Sequence, residues 1–192
     1  GKIVDILSDR RLFQLVQHFQ RYSLAARQQV KYLVMDMNAS YQQLVQKVFH
    51  GASIIIDRFH IVQQLTRALN KERIDVMNQL NRHHNEEVKT YRKLKKYWRT
   101  LLKKNKHIDY TSYKHWPLFQ RKLVCESEVL DTLLRSDEPL RKAYDIYQQL
   151  LYDFEHRDGN SFFDTIKHLP TGLSADFKKK VTYLLKHEDG IR

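Results

Sequence analysis

The chain has 192 residues, 42% of them hydrophobic, and its 34 lysines and arginines against 22 acidic residues give a formal net charge of +12. This composition excludes a disordered polymer and favours a globular protein with a polyanionic partner, nucleic acid before a membrane surface. No stretch approaches the roughly 18 apolar residues of a membrane span, and a single cysteine, Cys125, excludes an internal disulfide and a cysteine zinc site, as is usual in a reducing cytoplasm.

The N-terminal residues predict a strand followed by a helix. Residues 2–7, KIVDIL, alternate enough for a strand, and Ser8 or Asp9 can cap the helix behind it. The apolar positions of that helix share one face: Leu12, Leu15, Val16, Phe19 and Tyr22. Because a strand opens the chain with no loop before it, we expect the sheet to begin earlier in a longer parent protein, of which this chain is a fragment.

The stretch 31–60 predicts strand, helix, strand. Residues 31–35 and 52–56 are short apolar runs, the second with three consecutive isoleucines, and both predict buried strands. Asn38 or Ser40 can cap the helix between them. Its apolar positions recur at three and four: Tyr41, Leu44, Val45 and Val48. Such a unit pairs its strands in parallel through a right-handed crossover, with axes about 4.8 Å apart if the strands are neighbours.

An aspartate follows each of these two predicted strands. Ligands of open parallel sheets bind at the carboxyl ends of the strands, so Asp36 and Asp57 are candidates for binding Mg²⁺, which prefers carboxylate oxygens. The alternative for Asp36 is a helix N-cap or an ion pair. The alternative for Asp57 is a salt bridge to Arg58 beside a packed His60. Two carboxylates are too few for a two-metal phosphodiester site.

After His60 the pattern is helical and no further strand is predicted. One continuous helix carries an apolar stripe of Ile61, Leu65, Leu69, Val76 and Leu80. A second helix is predicted over residues 88–104, and residues 105–117 are predicted as a connection. Further helices are predicted over residues 123–134, from near Pro139, after an Asn160 cap and after a Ser174 cap. The chain therefore divides into an α/β part, residues 1–69, and an all-helical part, residues 70–192.

The helix predicted over residues 88–104 has one apolar face and one basic face. The apolar face holds Val88, Tyr91, Leu94, Trp98, Leu101 and Leu102. The basic face holds the candidate DNA contacts Lys89, Arg92, Lys93, Lys96, Arg99 and Lys103, together with Lys95 and Lys104. Nearby aromatic residues could contact sugars or bases: Tyr97, Tyr110, Tyr113 and Trp116. The alternative is an ordinary solvated helix face.

Three blocks of sequence carry a resemblance to a known family. They are V-M-D-M-N-A-S-Y at residues 34–41, V-F-H-G-A-S-I-I-I-D-R-F-H-I-V at residues 48–62, and R-A-L-N-K-E-R at residues 67–73. Together they closely resemble the catalytic region of the ISL3 family of bacterial insertion-sequence transposases. The likeness continues more loosely through the helical half and spans nearly the whole chain.

The resemblance implies a ribonuclease-H-like mixed sheet with the strand order three-two-one-four-five and crossover helices. Residues 2–7, 31–35 and 52–56 would be its third, fourth and fifth strands, which makes residues 1–69 a partial catalytic core. Residues 70–192 would be the helical insertion domain of such enzymes. On this mapping residues 2–7 do not pair with residues 31–35, because two further strands belong between them.

The resemblance also implies an activity, in which an Asp, Asp, Glu triad holds two Mg²⁺ or Mn²⁺ ions for DNA cleavage and strand transfer. Asp36 matches the second catalytic carboxylate and would be a metal ligand. Asp57 would support the active site, with Arg58 and His60 as DNA contacts. The implied partners are the insertion-sequence ends and the target DNA, and we expect the full-length parent to form a homo-oligomer.

The chain departs from the family pattern in several places. The first two strands, with the first aspartate, would precede residue 1, and the family's zinc-ribbon and helix-turn-helix regions are not in this sequence. Its glutamate occurs in an N-G-x-x-E-G-x-N block, which the residues around Glu188 do not match, so Glu188 is not assigned. We therefore expect the fragment itself to be inactive. The competing interpretation is a non-catalytic, basic helical module that binds nucleic acid or a partner.

Overall fold

A computed structural model of the chain describes residue 3 and residues 5–81, 83–120 and 123–192. The helices are α1 (Leu12–Gln20), α2 (Leu24–Gln28), α3 (Ala39–Val48), α4 (Arg58–Gln79), α5 (Asn85–Lys96), α6 (Trp98–Leu101), α7 (Glu126–Leu134), α8 (Glu138–Glu155), α9 (Gly159–Lys167), α10 (Ala175–Thr182) and α11 (Glu188–Ile191). The strands are β1 (Tyr32–Met35), β2 (Ser53–Ile56), β3 (Lys114–His115) and β4 (Leu123–Val124), and short 3₁₀ helices span Asn105–His107 and Tyr183–His187.

These elements form two compact units. One unit comprises residues 1–61 and 187–192, and the other comprises residues 62–186. The first is a mixed α/β unit and the second is almost entirely helical. The boundary predicted near residue 69 lies inside α4, which contributes residues to both units.

The α/β unit is built on the predicted strand–helix–strand stretch, which the structure confirms. Strands β1 and β2 are parallel neighbours, with Tyr32 opposite Ser53 and Met35 opposite Ile56. The side chain of Asn38 accepts a hydrogen bond from the backbone N–H of Ser40, so Asn38 is the N-cap of α3. The buried core beneath the sheet consists of Leu15, Leu44, Val45, Val48 and Phe49, from α1 and from α3 and its C-terminal end.

The prediction that both strands are buried is wrong for one face of the sheet. Leu33, Met35 and Ile54 pack against the core, as side chains that alternate along a strand require. The opposite face is exposed: Tyr32 and Val34 keep 65% and 67% of their surface accessible to solvent. This sheet is therefore covered on one side by the described residues.

The N-terminal prediction is confirmed for the helix and not for the strand. Of the strand predicted over residues 2–7, Lys2 and Val4 lie outside the described residues, and the described ones form no strand; Ile3 and Ile6 are about four-fifths exposed. Helix α1 forms as predicted up to Gln20, and Tyr22 lies beyond its end. Arg11 precedes the helix without a side-chain cap, in place of Ser8 or Asp9. The expectation that residues 2–7 do not pair with residues 31–35 stays a prediction, because the described part of residues 2–7 is not a strand.

The last residues of the chain belong to the α/β unit. Helix α11 packs against β2, where a Cβ added to Gly190 would lie 3.1 Å from the carbonyl oxygen of Ile54. Just before this helix, Nε2 of Gln42 on α3 lies 2.8 Å from Nδ1 of His187. The close approach explains why a residue without a side chain occupies position 190.

The helical unit is closed around a core in which many side chains have 0% or 1% exposure, among them Leu94, Leu101, Val129, Leu140, Leu150, Phe163 and Leu184. Helix α4 forms as predicted up to Gln79, with Leu65 and Leu69 fully buried, and Leu80 lies just beyond its end. Helix α8 is capped by Asp137 and has Pro139 in its first turn. Ser174 caps α10 as predicted, whereas Asp158 and not Asn160 caps α9.

The single helix predicted over residues 88–104 is broken at Tyr97 into α5 and α6. Tyr97 is buried, its hydroxyl donates a hydrogen bond to the carbonyl of Pro117, and its ring packs edge-on against Trp116 at 5.4 Å. These contacts come from a segment about 20 residues further along the chain. Tertiary packing at this residue therefore overrides the local helical pattern.

The expectation of no further strand is also wrong, because β3 and β4 form a short antiparallel hairpin. Helix α7 consequently begins at Glu126 rather than at residue 123. The indole N–H of Trp116 donates to the carbonyl of Val124 at 3.0 Å and holds the two arms of the hairpin together. Two-residue strands give no usable alternation in sequence, which is why the hairpin was missed.

Candidate functional site

The two aspartates lie side by side at the carboxyl edge of the β1–β2 sheet. Because Met35 is the register partner of Ile56, the residues that follow them, Asp36 and Asp57, leave neighbouring strands at the same level. The backbone N–H of Asp57 donates to the carbonyl of Met35 at 2.8 Å and extends the strand pairing to this residue. Parallel neighbours are separated by about 4.8 Å. The backbones of Asp36 and Asp57 are therefore immediate neighbours at this edge of the sheet.

Each carboxylate is positioned by its own turn. Oδ1 of Asp36 accepts the N–H of Asn38 at 2.9 Å, and Oδ1 of Asp57 accepts the N–H of Phe59 at 2.9 Å. Asp57 stands directly before α4, so its carboxylate caps that helix. Both side chains are half-buried. These hydrogen bonds orient the two carboxylates and are compatible with a ligand on their remaining lone pairs.

The first turn of α4 brings three further side chains to this edge. Arg58 is exposed and His60 is half-buried, the two residues predicted as DNA contacts. Phe59 between them is 63% exposed, with its ring edge-on to His60 at 5.4 Å. Sequence reasoning missed Phe59, because an isolated phenylalanine before an apolar helix is read as a core residue.

Within the described residues, no third acidic ligand lies beside Asp36 and Asp57. The described residues contain no group of three or more His, Cys, Asp or Glu side chains that could hold a metal ion. Glu188 on α11 belongs to the same unit, and its Oε1 forms an ion pair with Arg192 at 2.8 Å. The acidic donors at this edge are thus the two aspartates, which are oxygen ligands of the kind that Mg²⁺ takes from a protein.

The predicted basic face divides into exposed cations and cations that form ion pairs with carboxylates of the helical unit. Lys89, Arg92, Lys96 and Arg99 are exposed. Lys89 forms an exposed ion pair with Glu86 at 2.7 Å, and the guanidinium of Arg99 lies 5.0 Å from the ring centre of Trp98. These cations point to solvent and can meet a polyanion.

Lys103, in contrast, is paired with a buried carboxylate, that of Glu126. Its Nζ donates to both oxygens of Glu126, at 2.9 and 2.7 Å, and the same carboxylate accepts the backbone N–H of Asp109. Burial would raise the pKa of Glu126, but the hydrogen bond from Lys103 and that from Asp109 hold the pKa below its usual value. Lys103 is therefore a structural cation, a role that the spacing of charges could not reveal.

The neighbouring Lys104 and Lys106 both hold Glu155 at the end of α8. Lys104 Nζ lies 2.6 Å and Lys106 Nζ 3.0 Å from that carboxylate. Their hydrogen bonds lower the pKa of Glu155 to about 2. Lys104, at the C-terminal end of the basic face, and Lys106 thus fasten the 3₁₀ segment Asn105–His107 to α8.

The aromatic residues proposed as nucleic-acid contacts also divide in two. Tyr110 and Tyr113 are 60% and 59% exposed. Tyr97 and Trp116 instead anchor the hairpin through the contacts described above. Of these four aromatic residues, Tyr110 and Tyr113 are the more exposed and the more accessible to a partner.

Comparison with known families decides the identity of the chain. The family model for ISL3 transposases, described as a transposase, matches residues 1–192. The chain belongs to the ISL3 transposase family. Neither a curated protein nor a solved structure gives a match. This transposase chain contains, within its described part, no helix that is both long and apolar enough to cross a membrane.

The family assignment covers both units of the transposase chain. The aspartates of β1 and β2 and the exposed cations of α5 and α6 fall within the matched residues. Membership of a transposase family points to DNA as a partner of the chain. It does not by itself assign a role to any side chain.

Proposed function

We propose that this transposase chain supplies the sheet edge at which a divalent metal ion and DNA meet during cleavage and strand transfer of an insertion sequence. The observation that carries the proposal is the in-register parallel pairing of β1 and β2, which sets Asp36 and Asp57 side by side. In this proposal β1 and β2 are the fourth and fifth strands of a ribonuclease-H-like sheet. The helical unit is the insertion domain of the enzyme.

Asp36 and Asp57 have different parts in the proposed centre. Asp36 would hold Mg²⁺ or Mn²⁺, and Asp57, which caps α4, supports the geometry of the site. When bound, the metal supplies Lewis-acid stabilisation of the attacking and leaving oxygens of a phosphodiester. Arg58 and His60, in the first turn of α4, contact the DNA backbone next to that edge. Since two-metal sites use more carboxylates than two, the 192-residue chain alone is proposed to leave DNA uncut.

The experiment compares Asp36→Asn with Asp57→Asn in a transposase that contains this chain. We expect Asp36→Asn to abolish cleavage of insertion-sequence ends, and Asp57→Asn to reduce it by about 10- to 100-fold, the size usual for a residue that supports a metal ligand. Asp164→Asn, on the exposed surface of α9, is the control and should cleave normally. Normal cleavage by Asp36→Asn would overturn the proposal, as would strand cleavage by the 192-residue chain with Mg²⁺.

We further propose that the exposed cations of α5 and α6 bind DNA phosphates. Each phosphate contact adds about 0.9 to the slope of log affinity against log salt concentration. Lys96→Ala and Arg99→Ala should therefore each flatten that slope by about one unit for the 192-residue chain. Lys103→Ala should leave the slope unchanged, because Lys103 is paired with Glu126. An unchanged slope in the first two variants would make this surface an ordinary solvated face.

The non-catalytic interpretation is favoured by one observation, the closed core of the helical unit. A unit with its own core and an exposed basic surface can bind DNA without help from the aspartates. The Asp36→Asn variant of the larger transposase separates catalysis from binding: it should lose DNA cleavage and keep the DNA affinity of the wild type. Equal cleavage by the variant and the wild type would leave DNA binding as the function of the chain.

A further inference from the structure

A cleft in the helical unit lies between helix α5 and residues 118–120, which follow β3, and Thr132 of α7 also lines it. Its volume is about 290 Å³, and a neighbouring cleft of about 150 Å³ shares Lys89, Leu118 and Gln120 with it. Small-ligand sites usually occupy roughly 300–1,000 Å³. The space therefore suits one small ligand and is too small for a helix or a DNA duplex.

The two walls of this cleft have different chemistry. Lys89 and Lys93 of α5 line the larger cleft, and Arg92 lines the smaller one beside Lys89. Leu118 and Phe119 form the opposite, apolar wall. A ligand that fills the cleft should accordingly be negatively charged at one end and flat or apolar at the other.

The charges of the basic wall are only partly neutralised within the cleft. Glu86 also lines it and pairs with Lys89 at 2.7 Å. Lys93 Nζ lies 4.7 Å from the ring centre of Phe119, so a cation–π contact fixes it beside the apolar wall. Arg92 is exposed. Three cations against one carboxylate leave an excess of two positive charges for an anion.

The segment that carries the apolar wall, residues 118–120, has a strained backbone. Leu118 and Gln120 have φ angles of 76° and 41°, in the left-handed region that residues with a side chain rarely adopt. Strained backbone persists only where surrounding contacts impose it, and it concentrates at binding sites. Two hydrogen bonds hold the residues just before this segment: one from the Tyr97 hydroxyl to the Pro117 carbonyl and one from the Trp116 indole to the Val124 carbonyl. Both strained residues line both clefts, and Leu118 remains 39% exposed.

We propose that this cleft binds one unpaired nucleotide of a DNA strand. The phosphate lies on Arg92 and Lys89, and the base packs against Leu118 and Phe119. Sites for single-stranded nucleic acid combine a basic groove with a surface on which a base can lie, and this cleft has both within one nucleotide's reach. The inference rests on the proposed function in that DNA is the partner. It goes further because it assigns to the helical unit a preference for unpaired over paired nucleotides.

The test measures binding of the 192-residue chain to two fluorescent DNA probes. One probe is a blunt duplex, and the other is the same duplex with a single extrahelical 2-aminopurine nucleotide. We expect the bulged probe to bind at least about fivefold more tightly, the lower limit for one stacked base. The 2-aminopurine emission should also change on binding, because the base leaves water for the apolar wall.

Three variants locate the effect. Leu118→Gly removes the apolar side chain while glycine adopts the positive φ without strain, so the fold is retained and the preference for the bulged probe should disappear. Arg92→Ala should also abolish the preference. Arg99→Ala is the matched control: it removes the same exposed charge outside the cleft and should weaken both probes equally. Unchanged thermal unfolding of each variant confirms that it folds.

Each outcome bears on the inference. Tight binding of both probes without preference would overturn it and leave the DNA-binding surface of the proposed function in place. A preference that survives both Leu118→Gly and Arg92→Ala would overturn the assignment to this cleft. Binding of neither probe would overturn the inference and the proposed DNA-binding surface together, while leaving the test of Asp36 in the larger transposase unaffected.

Discussion

The two units of this transposase chain differ in how completely their apolar surfaces are covered. In the helical unit, large side chains such as Leu140 and Phe163 are fully buried. In the α/β unit, one face of the sheet leaves Val34 and Ile55 exposed at 67% and 40%. Parallel sheets are normally covered on both faces. The helical unit thus has a closed fold of its own, whereas the unit that carries the aspartates has an apolar surface open to a further layer.

The largest effect that tests this contrast should come from truncating a core phenylalanine. Phe163→Ala, in α9, should lower the free energy of unfolding by about 3–5 kcal/mol, because it removes a ring with 0% exposure and leaves a cavity. Phe13→Ala, on α1 with 66% exposure, removes the same atoms and should cost less than about 0.5 kcal/mol. Urea unfolding of both variants measures the difference. Similar losses would mean that Phe13 is covered in solution.

The next effect concerns the carboxylate that holds Lys103. Glu126→Ala should cost about 1–3 kcal/mol, since it removes a charged acceptor and leaves the buried hydroxyl of Thr100 and the N–H of Asp109 without it. Glu86→Ala breaks an ion pair of the same 2.7 Å length between exposed side chains and should cost far less. Equal losses in thermal unfolding would show that the Lys103 pair is as screened by water as the Lys89 pair.

A smaller effect compares adjacent residues on opposite faces of β2. Ile56 is 5% exposed and Ile55 is 40% exposed, and replacing either with valine removes one methyl group while keeping a β-branched side chain. Ile56→Val should cost about 0.5–1.5 kcal/mol in urea unfolding. Ile55→Val should cost clearly less, because its methyl group already contacts water. A loss at Ile55 as large as that at Ile56 would contradict the open face of the sheet.

The parts of the fold that follow from local physics could be predicted from sequence. The β1–α3–β2 stretch was predicted because its signals lie within 30 residues: two apolar runs, an Asn38 cap and a three–four spacing between them. The break at Tyr97 could not be predicted, because it depends on a hydrogen bond to Pro117, 20 residues away. The two-residue strands of the hairpin were too short to give a pattern.

In the candidate site, too, features set by the order of elements could be predicted and features set by distant contacts could not. Asp36 and Asp57 could be placed together because parallel strands end at one edge, a rule that needs only the order of elements. The sequence could not distinguish Lys103 from the exposed cations of the basic face, since its partner Glu126 is 23 residues away and is brought near by packing. The cleft beside α5 depends on two positive φ angles at residues other than glycine, Leu118 and Gln120, and sequence gives no signal for these.

The smallest expected effect is a dependence of stability on pH. Lys104 and Lys106 lower the pKa of Glu155 to about 2, below its value of roughly 4.3 in an unfolded chain. The ionised, paired carboxylate therefore stabilises the fold above about pH 4.3, and that contribution is lost as the pH falls toward 2.

Glu155→Gln removes this titration. Its stability should be lower than wild type at pH 7, by no more than about 1 kcal/mol because the pairs are solvent-screened, and should converge with wild type near pH 2. Thermal unfolding of both proteins between pH 2 and pH 7 measures the difference at each pH. A difference that stays constant across this range would mean that the two lysines do not hold Glu155 in its charged form. Lys104 and Lys106 would then be as free to bind DNA as Lys96 and Arg99.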